Sequence, residues 1–397
     1  MKIAYFTDTF LPSKNGVVTY VVENAKRLAE RGHEVVVFAP KPGFRVKFNF
    51  SQFKFKTVLL PSLPAFFFPE ERFTLPNLPK LLIDLKKFKC EIIHIQMPFP
   101  VGFDGLFASK ILKIPLVATF HSFYIDKPFF EDLKLEKLHG LLENPLWNLC
   151  TSFHNQADIV ICPSKAGQNT LKKYGLNKPS IVISNGLDLR AIKKGQKENI
   201  SVWQSKFEIA KTDKVAIFSG RLQADKNIET LIRIWRKVVI QIPNAKLMII
   251  GSGPMKERLR FLTKKFKLTR NIIFTGSINR DILIESGLLR VGQLAVSASK
   301  IENQSYALLE EMAFGLPIVA FNIRGIPEIV DHENGILIDP DDIESFANKT
   351  IELLKDEKEM EELSKGAIKK SERFDLDKNL DQVVRVYSNL IEKKKST

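Results

Sequence analysis

The chain reads as an α/β protein of two Rossmann-like, doubly wound parallel-sheet domains facing a central cleft, and three observations predict this. Its 397 residues exceed the size at which one hydrophobic core usually stops growing. Its β-type runs are continuously apolar rather than alternating, as strands covered on both faces require. In the second half nearly every such run ends in Gly or Ser, and open α/β sheets bind ligands outside the carboxyl ends of their strands.

The first series opens with KIAYFTD, a helix-period stretch VVTYVVENAKRLAE, a stop at Gly32 and the β-branched run EVVVFAP. Further strand-like runs follow at EIIHIQ (91–96), PLVATFH (115–121), DIVICPS (158–164) and SIVISNG (180–186). The polar, strand-poor stretch LRAIKKGQKENIS (189–201) reads as a linker, so the predicted domains are 1–188 and 189–375. The second series is VAIFSG (215–220), AKLMIIG (245–251), NIIFTG (271–276), QLAVSAS (293–299), PIVAF (317–321) and GILID (335–339). A last helical stretch, 376–397, follows the final α/β unit and is expected to pack back on the first domain. No internal repeat or low-complexity tract interrupts the two series.

With 44% hydrophobic and 26% charged residues the composition is that of a globular protein, which excludes a disordered or fibrous chain. No run approaches the ~18 apolar residues of a membrane span, and no secretory leader pattern precedes the first strand, so a cytoplasmic location is predicted. Cys90, Cys150 and Cys162 form no CxxC pair and are expected to be reduced thiols rather than metal ligands. The net charge of +15 predicts attraction to something anionic, whether nucleic acid, phospholipid head groups or a phosphate-bearing substrate. No nucleic-acid-binding module accompanies that charge, which argues against nucleic acid as a partner.

The segment SKIENQSYALLEEMAFGLPIVAFNIRGIPEIV (299–330) carries the densest chemistry. Glu302 and Glu310 flank a helix start that Asn303 or Ser305 can cap and that Gly315 and Pro317 end. Backbone amides of Ser305, Tyr306 and Ala307 then point out of a helix N-terminus, a ready anion site. The two carboxylates, about 10 Å apart along a largely helical path, can accept hydroxyls on opposite sides of a bound diphosphate. The same spacing also fits a solvated acidic helix face. In FSGRLQADKN, Arg221 and Lys226 follow a strand end, where fixed cations can stabilise a leaving diphosphate, although surface cations are common. Gly16 opens a helix just after the first strand and allows close approach of a phosphate or sugar; a plain loop glycine reads equally well. Gly251 and Gly253 form a partial GxGxxG with Lys256 in place of the third glycine, and no acidic residue ends the next strand, which disfavours a dehydrogenase. The DxD at Asp339 and Asp341 reads as a helix N-cap turn rather than a metal site, because Pro340 and a helix follow; Asp375 and Asp377 receive the same structural reading.

Taken together, the Gly16 loop, NGLD (185–188), GRLQADKN (220–227), GSGP (251–254) and the Glu302 to Glu310 pair resemble the family 4 retaining glycosyltransferases of the GT-B fold, in the right order over nearly the whole chain. The resemblance implies transfer of a hexose from a UDP- or GDP-sugar to a hydroxyl without a covalent enzyme intermediate; no cofactor or divalent metal is expected, because Arg221, Lys226 and the amides at 305–307 already supply the positive field and no carboxylate pair is free for a metal. It implies that Arg221 and Lys226 hold the donor diphosphate, Glu310 the ribose and Glu302 the transferring sugar, with Gly16 and Gly253 approaching the donor. His121, in ATFHSFY, matches the family histidine beside the reacting sugar, whereas a lone strand-end histidine is more often structural. Where the family more often has Gly-Phe-Gly after its first glutamate, this chain has Asn303, Gln304 and Ser305, closer to some glycolipid-forming members; Asp225 replaces the commoner Glu. A sugar-nucleotide epimerase on the same fold, or a polysaccharide or soluble acceptor, stays open.

The segment 44–89 sits where GT-B enzymes place acceptor loops. It brings Phe66, Phe67 and Phe68 between prolines, then Lys80, Lys86, Lys87 and Lys89 beside Leu81, Leu82, Ile83 and Leu85, the pattern of an interfacial amphipathic helix. A lipid acceptor and a peripheral position on the anionic inner face of a membrane follow as expectations; a core role for the phenylalanines and a solvated lysine face is the alternative.

Overall fold

Each apolar run of the first series pairs in parallel with a neighbour: β1 (Lys2–Phe6), β2 (Glu34–Pro40), β3 (Lys56–Leu60), β6 (Ile92–Ile95), β7 (Leu116–Thr119), β8 (Ile159–Cys162) and β9 (Ser180–Val182), with a small antiparallel hairpin, β4 (Ser62–Pro64) and β5 (Arg72–Thr74), between β3 and β6. The order is β3-β2-β1-β6-β7-β8-β9. The second sheet, β10 (Lys214–Ser219), β11 (Ala245–Ile250), β12 (Ile272–Gly276), β13 (Leu294–Ser297), β14 (Ile318–Phe321) and β15 (Gly335–Ile338), runs β12-β11-β10-β13-β14-β15. Each order reverses once, between β1 and β6 and between β10 and β13, as in doubly wound Rossmann-like sheets, and ligand sites are expected at those reversals. This computed structural model describes the chain except residues 44, 45, 47, 65–71, 76, 124, 127–129, 131–135 and 397.

The chain divides into two units, one of Met1–Ile125, Lys137–Gly186 and Leu376–Thr397, the other of Asp126–Glu136 and Leu187–Asp375. In the first, Ile3 to Phe6 and Val35 to Ala39 are buried, because helices cover both faces of the sheet. Asn15 caps α1 (Gly16–Glu30) by accepting from the Val18 amide at 3.0 Å, and the buried apolar stripe of α1 includes Val18, Val21, Val22 and Leu28. Then come α2 (Leu78–Phe88), α3 (Pro100–Leu112), α4 (His139–His154) and α5 (Lys165–Lys173), the last capped by Ser164.

In the second unit, α6 (Leu189–Gly195), capped by Asp188, precedes β10; α7 (Ile228–Gln241), α8 (Tyr306–Ala313) and α9 (Ile343–Lys355) follow strands β10, β13 and β15. Trp235, Leu247, Phe321 and Phe346 lie in its core. The C-terminal helix α10 (Leu376–Lys395) belongs to the first unit. There Asp377 pairs with Arg27 and, at 2.6 Å, with Arg31, and the Tyr387 hydroxyl lies 3.2 Å from that of Tyr5. Asp377 is thus an ion-pair partner of two arginines inside the helix rather than the N-cap its sequence context suggests.

Two sequence expectations are corrected. The stretch 189–201 is no linker: Asp188 supplies a helix cap, and Ile192 and Gly195 are buried in the second unit. The Gly195 position leaves no room for a Cβ, which would lie 1.9 Å from the Ile284 carbonyl oxygen. The segment 44–89 is not wholly an acceptor loop either. Its TVLL run forms β3, in register with β2, and Leu81 and Leu85 of α2 are buried because that helix packs on α3, so they are not available to a bilayer. Phe66, Phe67 and Phe68 lie outside the described residues. Lys80, Lys86, Lys87 and Lys89 are exposed.

Candidate functional site

At the reversal of the second sheet, the ends of β10 and β13 bring two distant motifs together. After β10 the chain turns through Gly220, exposed Arg221 and buried Leu222 into a short 3-10 turn, Ala224–Lys226. This loop is fixed from below by the GSGP segment: the Leu222 amide donates to the Ser252 carbonyl at 2.9 Å and the Met255 amide to the Leu222 carbonyl at 3.0 Å. The backbones are so close that a Cβ at Gly253 would lie 2.5 Å from the Leu222 oxygen, and one at Gly251, whose φ is +149°, 1.9 Å from the Gly220 oxygen. Gly253 therefore shapes the loop that carries the cations.

The Lys226 ammonium reaches the end of β13. It lies 2.7 Å from Glu302 and 3.2 Å from Asp225, and Ser299 Oγ donates to the same Glu302 oxygen at 3.1 Å. Burial works against the charge on Lys226, but the Asp225 and Glu302 carboxylates outweigh it and hold the pKa above its usual value, with Arg221 close enough to oppose them. The result is a fixed cation with a second cation beside it and a carboxylate in contact.

Three residues on from Glu302, Ser305 caps α8, its Oγ accepting from the Leu308 amide at 3.4 Å, so Tyr306 and Ala307 form the first turn. One turn further in, buried Glu310 pairs with Arg280, whose guanidinium sits 5.9 Å from the Tyr306 ring centroid. Arg280 is the first residue of the short helix Arg280–Glu285 after β12; nothing in SINRDI flags it, because its partner is 30 residues away. A carboxylate offers about four acceptor sites, so Glu310 can be oriented by Arg280 and still accept a hydroxyl. Behind it, Glu311 is buried and accepts from Ser219 Oγ at 2.7 Å, which ties α8 to the end of β10; burial first, then Glu310, pushes its pKa well up.

The first unit places its candidates at its own reversal. Gly16 is the first residue of α1, beside the end of β1. Asp8, at the same end, accepts from the Val101 and Gly102 amides at 2.7 and 3.2 Å, and its burial pushes its pKa up to about 7. His121 follows β7. Its Nε2 lies 2.7 Å from Gln96 Oε1 and its ring stands at 66° to that of Tyr20, 4.8 Å between centroids. Burial, then His154, lowers its pKa to about 3, so the imidazole is neutral at any ordinary pH.

The DxD lies just before a helix start, but the cap is Asp342, next in sequence, which accepts from the Ser345 amide at 2.9 Å. Among the described residues no group of three or more His, Cys, Asp or Glu is arranged to hold a metal ion, and no helix is long and apolar enough to cross a membrane.

Comparison with known proteins gives two matching family models, Glycosyltransferase Family 4 over residues 14–191 and Glycosyl transferases group 1 over residues 199–370. The alpha-monoglucosyldiacylglycerol synthase of Streptococcus pneumoniae is 29% identical over 325 residues, 81% of this chain and 71% of that protein. The synthase of the same name from Acholeplasma laidlawii is 28% identical, over 89% of this chain and 87% of its own. Among solved structures, HepE of Anabaena in complex with UDP-glucose superposes with a TM-score of 0.78 at 21% identity, over 98% of this chain and 100% of that one.

Proposed function

Since the chain belongs to the family 4, group 1 glycosyltransferases and has the two Rossmann-like domains of the GT-B fold, we propose that it transfers a hexose, with retention, from a UDP- or GDP-sugar to a hydroxyl of a membrane lipid. The observation that carries this reading is the Lys226 cluster at the reversal of the second sheet, where a buried ammonium in contact with Glu302 stands beside Arg221. In the proposed complex Arg221 and Lys226 hold the diphosphate, with the amides of Ser305, Tyr306 and Ala307 at its other side. Glu310 accepts the ribose and Glu302 the hexose. As the glycosidic bond lengthens, charge builds on the leaving diphosphate, and fixed donors aimed there lower the barrier without reorganising. The leaving phosphate then takes the acceptor's proton, which places the new bond on the face the diphosphate leaves. By the family's pattern we assign His121, in the first unit, to the reacting sugar.

The lipid acceptor is supported by the two diacylglycerol-type relatives and by the outer surface of α2 and α3. There Ile83, Phe107 and Ile111 are each about half exposed or more, beside exposed Lys80, Lys86, Lys87 and Lys110. Each basic residue near an anionic leaflet contributes ~1 kcal/mol, so this face replaces the buried side of α2 as the membrane contact, on the cytoplasmic leaflet. The test is transfer from UDP- and GDP-hexoses into vesicles of phosphatidylglycerol and diacylglycerol. An α-linked glycolipid, and slower transfer when Lys86, Lys87 and Lys110 are replaced by Ser, are expected; turnover only on a soluble or polysaccharide acceptor overturns the lipid reading.

The cations already supply the positive field, so no divalent ion or cofactor is needed. Transfer is expected to be unchanged in EDTA; activity abolished by EDTA and restored by Mg²⁺ or Mn²⁺ would show that a metal carries the diphosphate instead.

A further inference from the structure

The two strands that carry the donor site part company before they end. β10 pairs with β11 along its whole length, Lys214 to Ser219, but with β13 only at Ala216 and Ile217. Their carboxyl ends therefore have no ladder between them, and each bears part of the site. β10 runs on from Ser219 into Gly220, Arg221 and the Lys226 turn. β13 runs on through Ser297 and Ser299, whose hydroxyls lie 3.2 Å apart, to Glu302. Glu311 of α8, the helix that follows β13, reaches across to the free end of β10. It is 1% exposed, accepts from Ser219 Oγ at 2.7 Å and is also hydrogen-bonded by the Ser219 backbone. A buried strand end that has lost its ladder partner needs another, and Glu311 supplies it.

We propose that Glu311 is a positioning residue for the donor site: by tying the end of β10 to α8 it sets the distance from the Arg221 and Lys226 loop to Glu302. The proposal rests on the reading of that loop as the holder of the donor diphosphate. At its root the loop is fixed from the β11 side, where the Gly220 amide donates to the Ile250 carbonyl and the Leu222 amide to the Ser252 carbonyl, each at 2.9 Å. Those bonds place it relative to β11. Towards β13 it is met farther out, where the Lys300 amide donates to the Asp225 carbonyl at 2.8 Å, and Glu311 holds the root on that side. Glu311 thus acts through the backbone of Ser219 rather than by touching the donor. Burial, then Glu310, favours its neutral acid. A glutamine amide keeps the size and the accepting oxygen of that acid, whereas methionine keeps the length and neither polar atom.

Steady-state kinetics of the whole protein, with the UDP- or GDP-hexose it turns over, test the assignment. Glu311→Gln is expected to stay within a few-fold of the wild-type kcat/KM. Glu311→Met is expected to lose about 10- to 100-fold, the cost of displacing a reacting group by up to about 1 Å. Melting curves accompany the kinetics, because Glu311→Met leaves the Ser219 hydroxyl buried without its partner. Glu311→Met combined with Ser219→Ala removes both polar side chains together, so the double variant should melt closer to wild type and stay as slow. Because Glu311 acts through the loop, adding Glu311→Met to Lys226→Met should cost far less than it costs the wild type, whereas unrelated losses would multiply. Three results would each overturn the proposal: Glu311→Met with the wild-type kcat/KM, Glu311→Gln as slow as Glu311→Met, or effects of Glu311→Met and Lys226→Met that multiply. If instead Lys226→Met alone is as active as wild type, the reading of the loop as the diphosphate holder fails, and the proposal falls with it.

Discussion

Replacing Lys226 with Met is expected to lower kcat/KM by roughly 100-fold or more, the usual cost of removing one preorganised transition-state contact, ~3 kcal/mol. Lys226 is the only cation shown in contact with Glu302 among the described residues, and both side chains are largely buried, 16% and 13% exposed. Its removal leaves the Asp225 and Glu302 carboxylates close together without their shared partner. Breaking a buried pair from one side costs ~3–5 kcal/mol, and with some water reaching this pair the lower end is expected. Activity and stability then have to be separated. Glu302→Gln removes the uncompensated charge, so Lys226→Met combined with Glu302→Gln should recover much of the lost melting temperature and none of the lost turnover. The double variant therefore separates the two roles, with stability rescued and kcat/KM not. Lys226→Met turning over within a few-fold of wild type would remove the ammonium from the reaction and leave the pair as a purely structural contact.

What the sequence makes legible follows from where its residues sit. Continuous runs such as IAYF, VVVFA and LMII can only be buried parallel strands, and their Gly and Ser ends mark where the sheets open, so the two Rossmann-like domains are readable without coordinates. The edge strand β3 escapes because Lys54 and Lys56 interrupt its apolar run and an aromatic-rich segment follows it; an edge strand is half solvated and loses the signature of its neighbours. Residues 189–201 escape because α6 is short and basic and buries little beyond Ile192 and Gly195. In the candidate site, Arg221 and Lys226 stand out as cations after a strand, but that Lys226 meets Glu302, 76 residues on, follows only from the adjacency of β10 and β13. Gln96 and Arg280 carry no motif. Only a buried amide at a strand's carboxyl end, beside the reversal in strand order, could have drawn attention to the first, and the reversal is invisible until the strands are paired.

The second large effect belongs to a glycine. Gly325, in the turn after β14, donates its amide to the Glu302 carbonyl at 3.0 Å, and a Cβ on it would lie 1.7 Å from the Asn303 carbonyl oxygen. Neither contact is with a flexible side-chain end that could swing aside; the backbone bearing Glu302 has to move. The turn has little slack, because Arg324 before it already holds a left-handed φ of +44° and pairs with Asp126 at 2.6 Å. Gly325→Ala is therefore expected to cost about 1–3 kcal/mol in stability, the range for overpacking, and to push Glu302 off Lys226. A displacement near 1 Å at a reacting group costs on the order of 100-fold in rate, so the loss of kcat/KM should far exceed what the fraction unfolded explains. Gly140 is the control: it lies in α4, has no left-handed φ, and a Cβ there meets nothing within 4 Å. Gly140→Ala should keep full activity and gain up to ~1 kcal/mol from the loss of freedom in the unfolded chain. Kinetics together with melting curves on the two variants decide the matter, since a Gly325→Ala protein as active as Gly140→Ala would mean that the Glu302 backbone is not held by this turn.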